Sequence, residues 1–418
     1  MPHLEGFWIK NFRILKQFAV GSCYLQFVYV DEDMSQSRYE LSPTTVFIGR
    51  NGTGKSTILD AFAFIGDCIK IGVEDACLKR GGYDSIYSQD STGPLSFGFN
   101  FRLPMEPKVL TYVVNIDFGV GHRPYVETEL LAYRAETVES LEVPLLFFQN
   151  GEKIVRHFIV PDKGSSDITL LEQTDMRHLG LRVLGDLPDY SIAGMIKNFF
   201  VNHSHSIFQE IHQAFSPPSK ISQRTLSSHG EGLIVLLQHF RKKYSTNFQE
   251  ILSRIATKVP DIETIDIGKG QQNRWSLSVK KKNFPDPFYG HQLPEGFLKL
   301  LTYFCLLEEP DPAPLIGIDE PENGLDSYYL KLFLKEVQAA IQGGRCPQFL
   351  IATHFHGLAD WMNPVDVWIL EQMQDGFTQA QRGSDDLVLQ DMIRNNLPLG
   401  DSWYSSVVGG QQLLANLK

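Results

Sequence analysis

The sequence predicts an α/β fold with two additions, an antiparallel β meander and a helical insertion. Three observations predict it. A buried strand pattern, a glycine-rich loop and a helical pattern follow one another at residues 44–65, in the order of a phosphate-binding strand–loop–helix unit. Residues 95–160 then alternate apolar and polar side chains with the period of strands. Residues 170–259 return to helical spacing, which places a helical segment inside the chain.

Strand patterns open the chain. Residues 7–14 alternate apolar and polar side chains and predict a first strand, and the apolar run at residues 24–30 predicts a second. Residues 44–48 are β-branched or apolar throughout, as in a buried parallel strand. Residues 57–65 have the spacing of a helix, and a helix end with a glycine stop follows at residues 78–82.

The glycine-rich loop carries the clearest chemistry in the sequence. Residues 49–57 read Gly-Arg-Asn-Gly-Thr-Gly-Lys-Ser-Thr and fit the pattern G-x-x-x-x-G-K-[ST]. Glycines let backbone N–H groups point inward at a β-phosphate at the start of a helix. Lys55 adds a charge between the β- and γ-phosphates, and the Ser56 hydroxyl can ligate Mg²⁺. We therefore expect ATP with Mg²⁺ to contact Asn51, Gly52, Thr53, Gly54, Lys55, Ser56 and Thr57.

Four strand patterns build the predicted meander. They lie at residues 95–103, 109–118, 125–133 and 145–160. The last one folds back at Asn150-Gly151, a dipeptide typical of tight hairpin turns. Consecutive strands of this kind predict an antiparallel sheet.

Two amphipathic patterns mark the helical segment. They lie at residues 230–240 and 248–259, and Pro260 ends the second. Turn signals precede them at residues 185–188 and 216–218. No heptad repeat is sustained, so the sequence predicts no long coiled coil.

Strands and helices alternate again in the last third of the chain. Strand patterns lie at residues 262–267, 275–279 and 315–320, and helical patterns lie at residues 297–307 and 328–341. A loop at residues 290–296 leads into the first of these helices. The α/β pattern therefore continues after the helical segment.

The apolar strand at residues 315–320 ends in two carboxylates. In a parallel sheet, ligands gather at the carboxyl ends of the strands. We expect Asp319 to hold Mg²⁺ opposite Ser56, directly or through water, and Glu320 to polarise the water that attacks the γ-phosphate. Glu320 and Lys55 are therefore predicted catalytic residues.

A histidine follows the next buried strand pattern. Residues 348–353 predict that strand, and His354 stands just past its end. There its side chain can donate a hydrogen bond to the γ-phosphate or orient the water. We therefore add His354 to the predicted catalytic residues.

Composition and charge restrict the partners. The 418 residues contain 38 Lys and Arg against 49 Asp and Glu, and a net charge of −11 weighs against a general affinity for nucleic acid. Dense basic clusters occur at residues 241–243 and 280–282, where a solvated turn or helix end is the simpler interpretation. DNA therefore stays open as a partner.

Targeting and redox signals are weak. No apolar run approaches the ~20 residues that cross a bilayer, and the first residues lack the basic and apolar regions of a secretory signal. We therefore expect a cytoplasmic protein without a membrane partner. The five cysteines include no C-x-x-C pair, so we expect buried thiols rather than disulfides or a zinc site.

Further short motifs accompany the glycine loop and the two carboxylates. They are Asn11-Phe12-Arg13 near the start, Leu325-Asp326 after the carboxylate strand, Ala352-Thr353-His354, and Trp403-Tyr404 with Gly409-Gly410 near the end. In this order they resemble the N-F-R signature, the D-loop, the switch-histidine motif and the closing segment of a known group. With Walker A at residues 49–57 and Walker B at residues 315–320, the chain resembles the ABC-type ATPase heads of the SMC, Rad50 and RecF group. It most closely resembles the stand-alone, RecF-like ATPases called AAA-21.

The resemblance implies a mechanism. Such heads dimerise face to face, so that ATP on one Walker A is capped by the signature motif of the other subunit. The candidate signature is residues 293–297, with Pro294 where the family usually has serine and Gly296 as the nucleotide contact. The resemblance also implies nucleotide contacts for Arg13 and Asp326, and it places Arg80 like an arginine finger, for which an ordinary helix-end cation is the alternative.

The resemblance also divides the chain. Residues 1–170 would form the N-terminal half of an ABC-type P-loop ATPase head with the meander lobe, residues 171–260 the helical insertion, and residues 261–418 the C-terminal half. The long coiled coil of SMC proteins is missing from this pattern. The stretch after His354 is too short for an appended nuclease domain, so we expect any nuclease to be a separate polypeptide.

Three functions compete. The first is an ATP-driven switch that forms a homodimer or higher oligomer and controls a separate effector protein, such as a nuclease, in bacterial antiphage defence. The second is a RecF-like DNA repair clamp, favoured by the lysines at residues 280–282 and disfavoured by the net charge. The third, a transporter motor subunit, fits the N-F-R opening least.

Overall fold

A computed structural model defines the fold. It describes residues 1–23, 39–104, 106, 108–133, 145–149, 156–159, 168–171, 176–188, 191–202, 204–206, 233–269, 275–309, 312–344, 347–386, 390 and 395. Several predicted features lie outside these residues: the strand at residues 24–30, the turns at residues 150–151 and 216–218, and the motifs at residues 403–404 and 409–410. The chain forms two compact units, a first of residues 1–203 and 348–418 and a second of residues 204–347.

The elements follow in chain order. The first unit begins with β1 (His3–Phe12), β2 (Leu15–Gly21), β3 (Thr44–Gly49), α1 (Lys55–Ile71), α2 (Val73–Leu78), α3 (Tyr83–Ile86), β4 (Leu95–Arg102), β5 (Val109–Phe118), β6 (Pro124–Tyr133), β7 (Leu146–Gln149), β8 (Arg156–Ile159), β9 (Ile168–Leu171), α4 (Leu181–Leu184) and α5 (Ser191–Val201). The second unit contains β10 (Ser204–Ser206), α6 (Leu233–Lys243), α7 (Ser245–Lys258), β11 (Ile262–Lys269), β12 (Trp275–Lys281), β13 (Phe288–Tyr289), α8 (Glu295–Leu307), β14 (Leu315–Asp319) and α9 (Ser327–Gln342). The chain then returns to the first unit with β15 (Gln348–Thr353), β16 (Val367–Gln372) and β17 (Thr378–Arg382).

The predicted meander is confirmed. It belongs to an eight-stranded antiparallel sheet in the order β2-β1-β4-β5-β6-β7-β8-β9. Strands β4, β5 and β6 pair as direct neighbours, which the period-2 patterns at residues 95–133 predict. The backbone of β7 pairs with that of β8 through Phe147 and His157, which confirms that this segment folds back on itself.

Aromatic residues join the meander sheet to the helix that follows the glycine loop. The ring of Phe62 on α1 lies 5.0 Å from that of Phe7 on β1 and 5.3 Å from that of Phe99 on β4. The Phe200 ring on α5 lies 4.7 Å from the Phe99 ring. All four side chains are almost fully buried, and burial of each stabilises the unit by about 1.5–3 kcal/mol. The sheet therefore supports the helix that begins at the predicted phosphate site.

Parallel strands form a second sheet region in the first unit. Strand β3 lies between β15 and β16 and runs parallel to both, and β17 pairs antiparallel with β16. Every residue of β3 and of β15 is buried, as the continuous apolar runs predict for strands covered on both faces. The glycine loop follows the carboxyl end of β3.

The second unit contains helices α6 to α9 and two small groups of strands. Strand β10 runs parallel to β14, and β11, β12 and β13 form an antiparallel three-stranded sheet. Helix α7 is amphipathic and buries Phe248, Ile251, Leu252 and Ile255. Together the two units confirm the predicted α/β fold class. Among the described residues the longest helix is α1 with 17 residues, so the described part contains no long coiled coil.

Some predicted boundaries were wrong. The first strand was predicted to reach Ile14, but it ends at Phe12 because Asn11 and Arg13 have positive φ angles of 63° and 52°. The chain reverses there, and β2 pairs with β1. Strand β10 lies inside the segment predicted to be helical, and β16 and β17 carry no prediction. Residue alternation in such short strands is too weak to identify them.

Candidate functional site

The glycine loop has the backbone shape that binds phosphate. Gly52 and Gly54 have φ angles of 86° and 88°, in the left-handed region that favours glycine, and α1 begins at Lys55. A Cβ atom on Gly54 would lie 3.0 Å from the Ile14 side chain and 3.1 Å from Oγ1 of Thr378. Glycine is therefore required at position 54 for two reasons, backbone angle and space.

Two threonines brace the loop. Thr53 Oγ1 donates a hydrogen bond to the carbonyl oxygen of Arg50 over 2.8 Å, and Thr378 Oγ1 donates to the carbonyl of Thr53 over 3.1 Å. The Thr378 N–H also donates to the carbonyl of Ile14 over 3.0 Å. Thr378 was missed by the sequence analysis because it lies on β17, more than 300 residues along the chain from the loop, and belongs to no motif.

Lys55 folds back over its own loop. Its Nζ donates to the carbonyl oxygens of Gly49 over 2.8 Å and of Arg50 over 2.9 Å, and the residue is 5% exposed. These two carbonyl oxygens help to hold the ammonium group at the loop, where an anionic phosphate oxygen would form a stronger, charge-assisted bond with it. Asn51, Gly52 and Ser56 are exposed, so a ligand can reach the loop and the first turn of α1.

His354 lies beside the loop in the first unit. Thr353 is the register partner of Ile48 across β15 and β3, so His354 stands level with Gly49. The Thr353 hydroxyl accepts a hydrogen bond from the Phe355 N–H over 2.9 Å, which fixes the chain on either side of the histidine. The structure therefore brings together the glycine loop and the predicted switch histidine, at one edge of the parallel strands.

Arg13 and Arg80 share one carboxylate on α1. Arg13 pairs with Asp60 over 2.9 Å, and Arg80 pairs with Asp60 over 2.9 Å and with Asp67 over 2.8 Å. Burial alone would lower the pKa of Arg80, but the charges of Asp60 and Asp67 outweigh it and raise that pKa above its ordinary value. The Arg80 side chain is 7% exposed, so this geometry favours a buried structural ion pair over an arginine finger. A nucleotide contact for Arg13 stays a prediction.

The second unit carries the two carboxylates. Asp319 ends β14 and is 6% exposed, and Glu320 follows it in a turn. Glu320 has a φ angle of 47°, unusual for a residue with a side chain. The Asn323 amide Nδ2 donates to Glu320 Oε2 over 2.5 Å. The end of β14 therefore positions Asp319, and the following turn positions Glu320, the two carboxylates that the sequence predicts for the site.

The candidate signature packs against the turn that follows Glu320. Pro294 precedes α8, and Gly296 lies in its first turn, where a Cβ atom would stand 2.5 Å from the carbonyl oxygen of Gly324. Any other residue at position 296 would force these two segments apart. Asp326 caps α9 by accepting a hydrogen bond from the Tyr329 N–H over 2.8 Å. The structure therefore shows a capping role for Asp326, and its nucleotide contact stays a prediction.

Lys299, which the sequence analysis did not assign to the site, links α8 to the same turn. Its Nζ donates to the carbonyl oxygen of Asn323 over 2.5 Å and lies 3.5 Å from that of Glu320. Burial lowers the pKa of Lys299 to about 8, and the charges of Glu322, Glu295 and Glu320 offset only part of this effect. In the sequence, a lysine within a mostly apolar helical pattern is the feature that could have identified Lys299.

A family model matches the part of the chain that carries these second-unit residues. Residues 214–358 match a family described as "AAA domain, putative AbiEii toxin, Type IV TA system". This part of the chain, about a third of its length, is similar to the AAA-21 family. The matched range covers the candidate signature, both carboxylates and His354, whereas the glycine loop precedes it. The AAA-21 domain is of the ATPase type, which agrees with the nucleotide-binding shape of that loop.

Other comparisons add less. A solved structure described as "Structural biochemistry of ATP-driven dimerization and DNA stimulated activation of SMC ATPases" is 14% identical, with a TM-score of 0.27. The match covers 38% of this chain and 97% of the chain in the solved structure. A likeness this distant supports no conclusion about function. No curated protein matches the sequence. Among the described helices, none combines the length and the apolar character that crossing a membrane requires.

The chemistry of the predicted residues, taken one by one, suits a nucleotide with Mg²⁺. Ser56 offers a hydroxyl oxygen in the exposed first turn of α1, and Asp319 offers carboxylate oxygens at the end of a buried strand. Mg²⁺ prefers oxygen ligands and keeps several waters beside phosphate oxygens. The left-handed glycines and Lys55 supply the donors that an anionic phosphate needs.

Proposed function

We propose that this chain binds Mg-ATP and hydrolyses it to ADP and phosphate. The observation that carries the proposal is the glycine loop, in which two left-handed glycines precede α1 and Lys55 Nζ rests on the carbonyl oxygens of Gly49 and Arg50. A phosphate in that place is stabilised by backbone N–H groups, by the helix N-terminus and by the lysine charge. When bound, Mg²⁺ supplies charge that neutralises the phosphate oxygens.

The other predicted residues bind the metal ion, accept the proton and contact the γ-phosphate. Asp319 and Ser56 hold the ion, and Glu320 accepts a proton from the attacking water. His354 donates a hydrogen bond to the γ-phosphate or orients the water, and its position level with Gly49 supports this role. The hydrolysis is slow if Pro294 leaves the signature without the hydroxyl that a serine supplies.

We further propose that ATP closes a homodimer or a higher oligomer. The basis is the resemblance to ABC-type heads, in which the signature of one subunit caps ATP on the other. Gly296, at the start of α8, presents the positive end of a helix suited to that task. In this assembly Arg13 and Asp326 contact the nucleotide as the motif positions imply.

The ATP-dependent assembly acts on a separate effector protein in the cytoplasm. Stand-alone members of the resembled group often act in bacterial antiphage systems. The family description names a putative AbiEii toxin and a Type IV TA system, which supports a role in defence and a protein partner. A nuclease on a separate polypeptide is the effector that we propose.

Two variants test the ATPase assignment. Because Lys55 contributes the phosphate-binding charge, Lys55→Ala abolishes ATP binding measured by calorimetry. Glu320→Gln removes the proton acceptor but keeps the shape of the side chain, so it binds ATP and loses turnover by ~10²-fold or more. Asp360→Asn, an acidic side chain on the 3₁₀ turn after His354, serves as the control and retains turnover. Unchanged hydrolysis by Glu320→Gln would contradict the assignment.

A second candidate function, a DNA clamp, rests on the β12–β13 hairpin. Lys281 Nζ lies 5.1 Å from the centre of the Phe288 ring, and Phe284 and Tyr289 are 49% and 44% exposed. A lysine over the half-buried Phe288 ring, with two exposed aromatic rings on the same hairpin, suits a nucleic acid strand. The molar mass of Glu320→Gln with and without Mg-ATP, followed by addition of short duplex DNA at two salt concentrations, separates the two functions. A mass increase without DNA binding supports the protein-partner switch, whereas binding that weakens with salt supports the clamp.

A further inference from the structure

We propose that Asn323 is a positioning residue that holds the Glu320 carboxylate, and that Lys299 fixes the turn that carries both. The inference rests on the proposed function, in which Glu320 accepts the proton of the attacking water. It assigns to Asn323 and Lys299 roles that neither the motifs nor the family match assigns.

Asn323 bonds Glu320 at two places. Its side-chain Nδ2 donates to Glu320 Oε2 over 2.5 Å, and its backbone N–H donates to the Glu320 carbonyl over 3.0 Å. The first bond fixes the rotation of the carboxylate, and the second closes the turn between the two residues. One residue therefore controls both the main chain and the side chain of the predicted base.

The backbone of Glu320 needs such support. Its φ angle of 47° lies in the left-handed region, which residues with a side chain rarely adopt because the Cβ atom crowds the backbone. Conformations of this kind persist only when the surrounding structure over-determines them, and they concentrate at functional sites. The two bonds from Asn323 are part of that surrounding structure.

Lys299 secures the other side of the turn. Its Nζ donates to the Asn323 carbonyl over 2.5 Å, and the residue is fully buried on α8. Gly296, one turn earlier on the same helix, lies against the Gly324 carbonyl. The turn that follows Glu320 is therefore held to α8 at two points, one helical turn apart. Because Lys299 bonds this turn from a rigid helix, it restricts the position of Asn323. Through Asn323 it also restricts the position of Glu320.

The kinetic consequence follows from geometry. A general base works only within hydrogen-bond reach of the proton it removes, and a displacement of ~1 Å costs up to ~10²-fold in rate. Loss of the Asn323 amide removes one restraint on the rotation of the carboxylate without removing any group from the phosphate-binding loop. The effect therefore falls on kcat and leaves the KM for ATP unchanged.

The test is a double-mutant cycle on the full chain. We expect Asn323→Ala to lower kcat by ~10-fold or more with KM within ~2-fold of the natural protein. In the Glu320→Gln background, where no base remains to be positioned, the same change alters the residual rate by less than ~2-fold. The matched control is Asn363→Ala, because Asn363 is also exposed and also bonds the local main chain, accepting from the Val365 N–H over 3.2 Å. It leaves kcat unchanged.

Several results would overturn the inference. An equal loss in both backgrounds would mean that Asn323 supports the fold rather than Glu320. A rise in kcat would mean that the amide restrains the carboxylate, and a raised KM with unchanged kcat would mean that it serves binding. Because Asn323 is exposed, the variant is expected to fold, and its thermal midpoint checks this.

A second variant tests the role of Lys299. The Glu320→Gln variant distinguishes a failure of this inference from a failure of the proposed function. Lys299→Met lowers kcat with KM unchanged, and unchanged kcat in that variant would remove Lys299 from the proposal. If Glu320→Gln itself keeps full turnover, the proposed function fails and the inference fails with it. If Glu320→Gln loses turnover and Asn323→Ala does not, only the inference fails.

Discussion

At the scale of single residues, the predicted sites contain residues that are unusual in backbone conformation or in burial. Gly54 combines a positive φ angle with a crowded Cβ position, and Glu320 has the left-handed backbone without being glycine. Lys299 is buried in a helix made mostly of apolar side chains. Such residues oppose local stability, and neighbouring hydrogen bonds hold them in place.

Lys299 gives a prediction on the pH dependence of stability. Its folded-state pKa of about 8 lies below the ordinary value of 10.5, because burial outweighs the charges of Glu322, Glu295 and Glu320. Between these values the unfolded chain holds a proton that the folded chain has released, so the free energy of unfolding rises with pH across this window. We expect the natural protein to gain up to about 3 kcal/mol relative to Lys299→Met between pH 8 and 10.5.

Urea unfolding at a series of pH values measures this gain. Lys335→Met is the control, because Lys335 is an exposed lysine on α9. We expect the difference in unfolding free energy between Lys335→Met and the natural protein to stay constant over the same pH range. A flat difference for Lys299→Met as well would show that the amine keeps its ordinary pKa.

At the scale of elements, buried carboxylates fix short segments in place. Glu129 on β6 is fully buried and accepts hydrogen bonds from the N–H groups of Gly180 and Leu181 over 2.5 and 3.0 Å. The Tyr112 hydroxyl on β5 donates to the same carboxylate over 3.0 Å. In the second unit, Glu336 on α9 pairs with Lys258 at the end of α7. These contacts attach helices that have too few residues, or too polar a surface, to be stable alone.

Glu129 gives a prediction at this scale. Glu129→Gln keeps the size of the side chain but replaces one of the two acceptor oxygens with an NH₂ group, which cannot accept the hydrogen bond of a backbone N–H. We expect the free energy of unfolding to fall by about 2 kcal/mol, because a buried N–H group that loses its acceptor costs about 1–3 kcal/mol. Glu127→Gln on the same strand, where the side chain is only partly buried, changes it by less than about 0.5 kcal/mol. If urea unfolding shows equal losses of unfolding free energy for Glu129→Gln and Glu127→Gln, Glu129 does not attach the segment at Gly180 and Leu181 to the sheet.

At the scale of the whole molecule, the predicted site residues are distributed over the two units. The glycine loop, Arg13 and His354 belong to the first unit, and Asp319, Glu320, Gly296 and Asp326 belong to the second. The chain as a whole has a net charge of −11, although the glycine loop has the pattern of an anion site. Binding there relies on backbone N–H groups and one lysine rather than on the overall field of the protein.

Ligand binding at the glycine loop should appear as an increase in thermal stability. A ligand that binds only the folded state adds about 2.7 kcal/mol at 100 times its dissociation constant. We expect Mg-ATP to raise the thermal midpoint of the natural protein and of Glu320→Gln, and to leave Lys55→Ala unchanged. The same concentration of AMP, which lacks the β- and γ-phosphates, is the ligand control. A shift of Lys55→Ala as large as that of the natural protein would place the nucleotide elsewhere.

The sequence by itself determined the parts that depend on local order along the chain. The loop at residues 49–57 needs adjacent glycines, lysine and serine between a strand and a helix, so a linear pattern identifies it. The meander strands and α7 to α9 follow from periodicity, and the buried carboxylate strand follows from an apolar run with an acidic end.

Only the tertiary structure decided which distant residues support these parts. Thr378 bonds the loop from β17, Arg80 shares Asp60 with Arg13, and Lys299 bonds the turn after Glu320. None of these contacts leaves a periodic trace, because each joins side chains or carbonyl groups that are far apart in the chain. The sequence therefore specifies the chemistry of the loop and the strand ends, whereas packing specifies which side chains hold them in position, since packing depends on three-dimensional proximity.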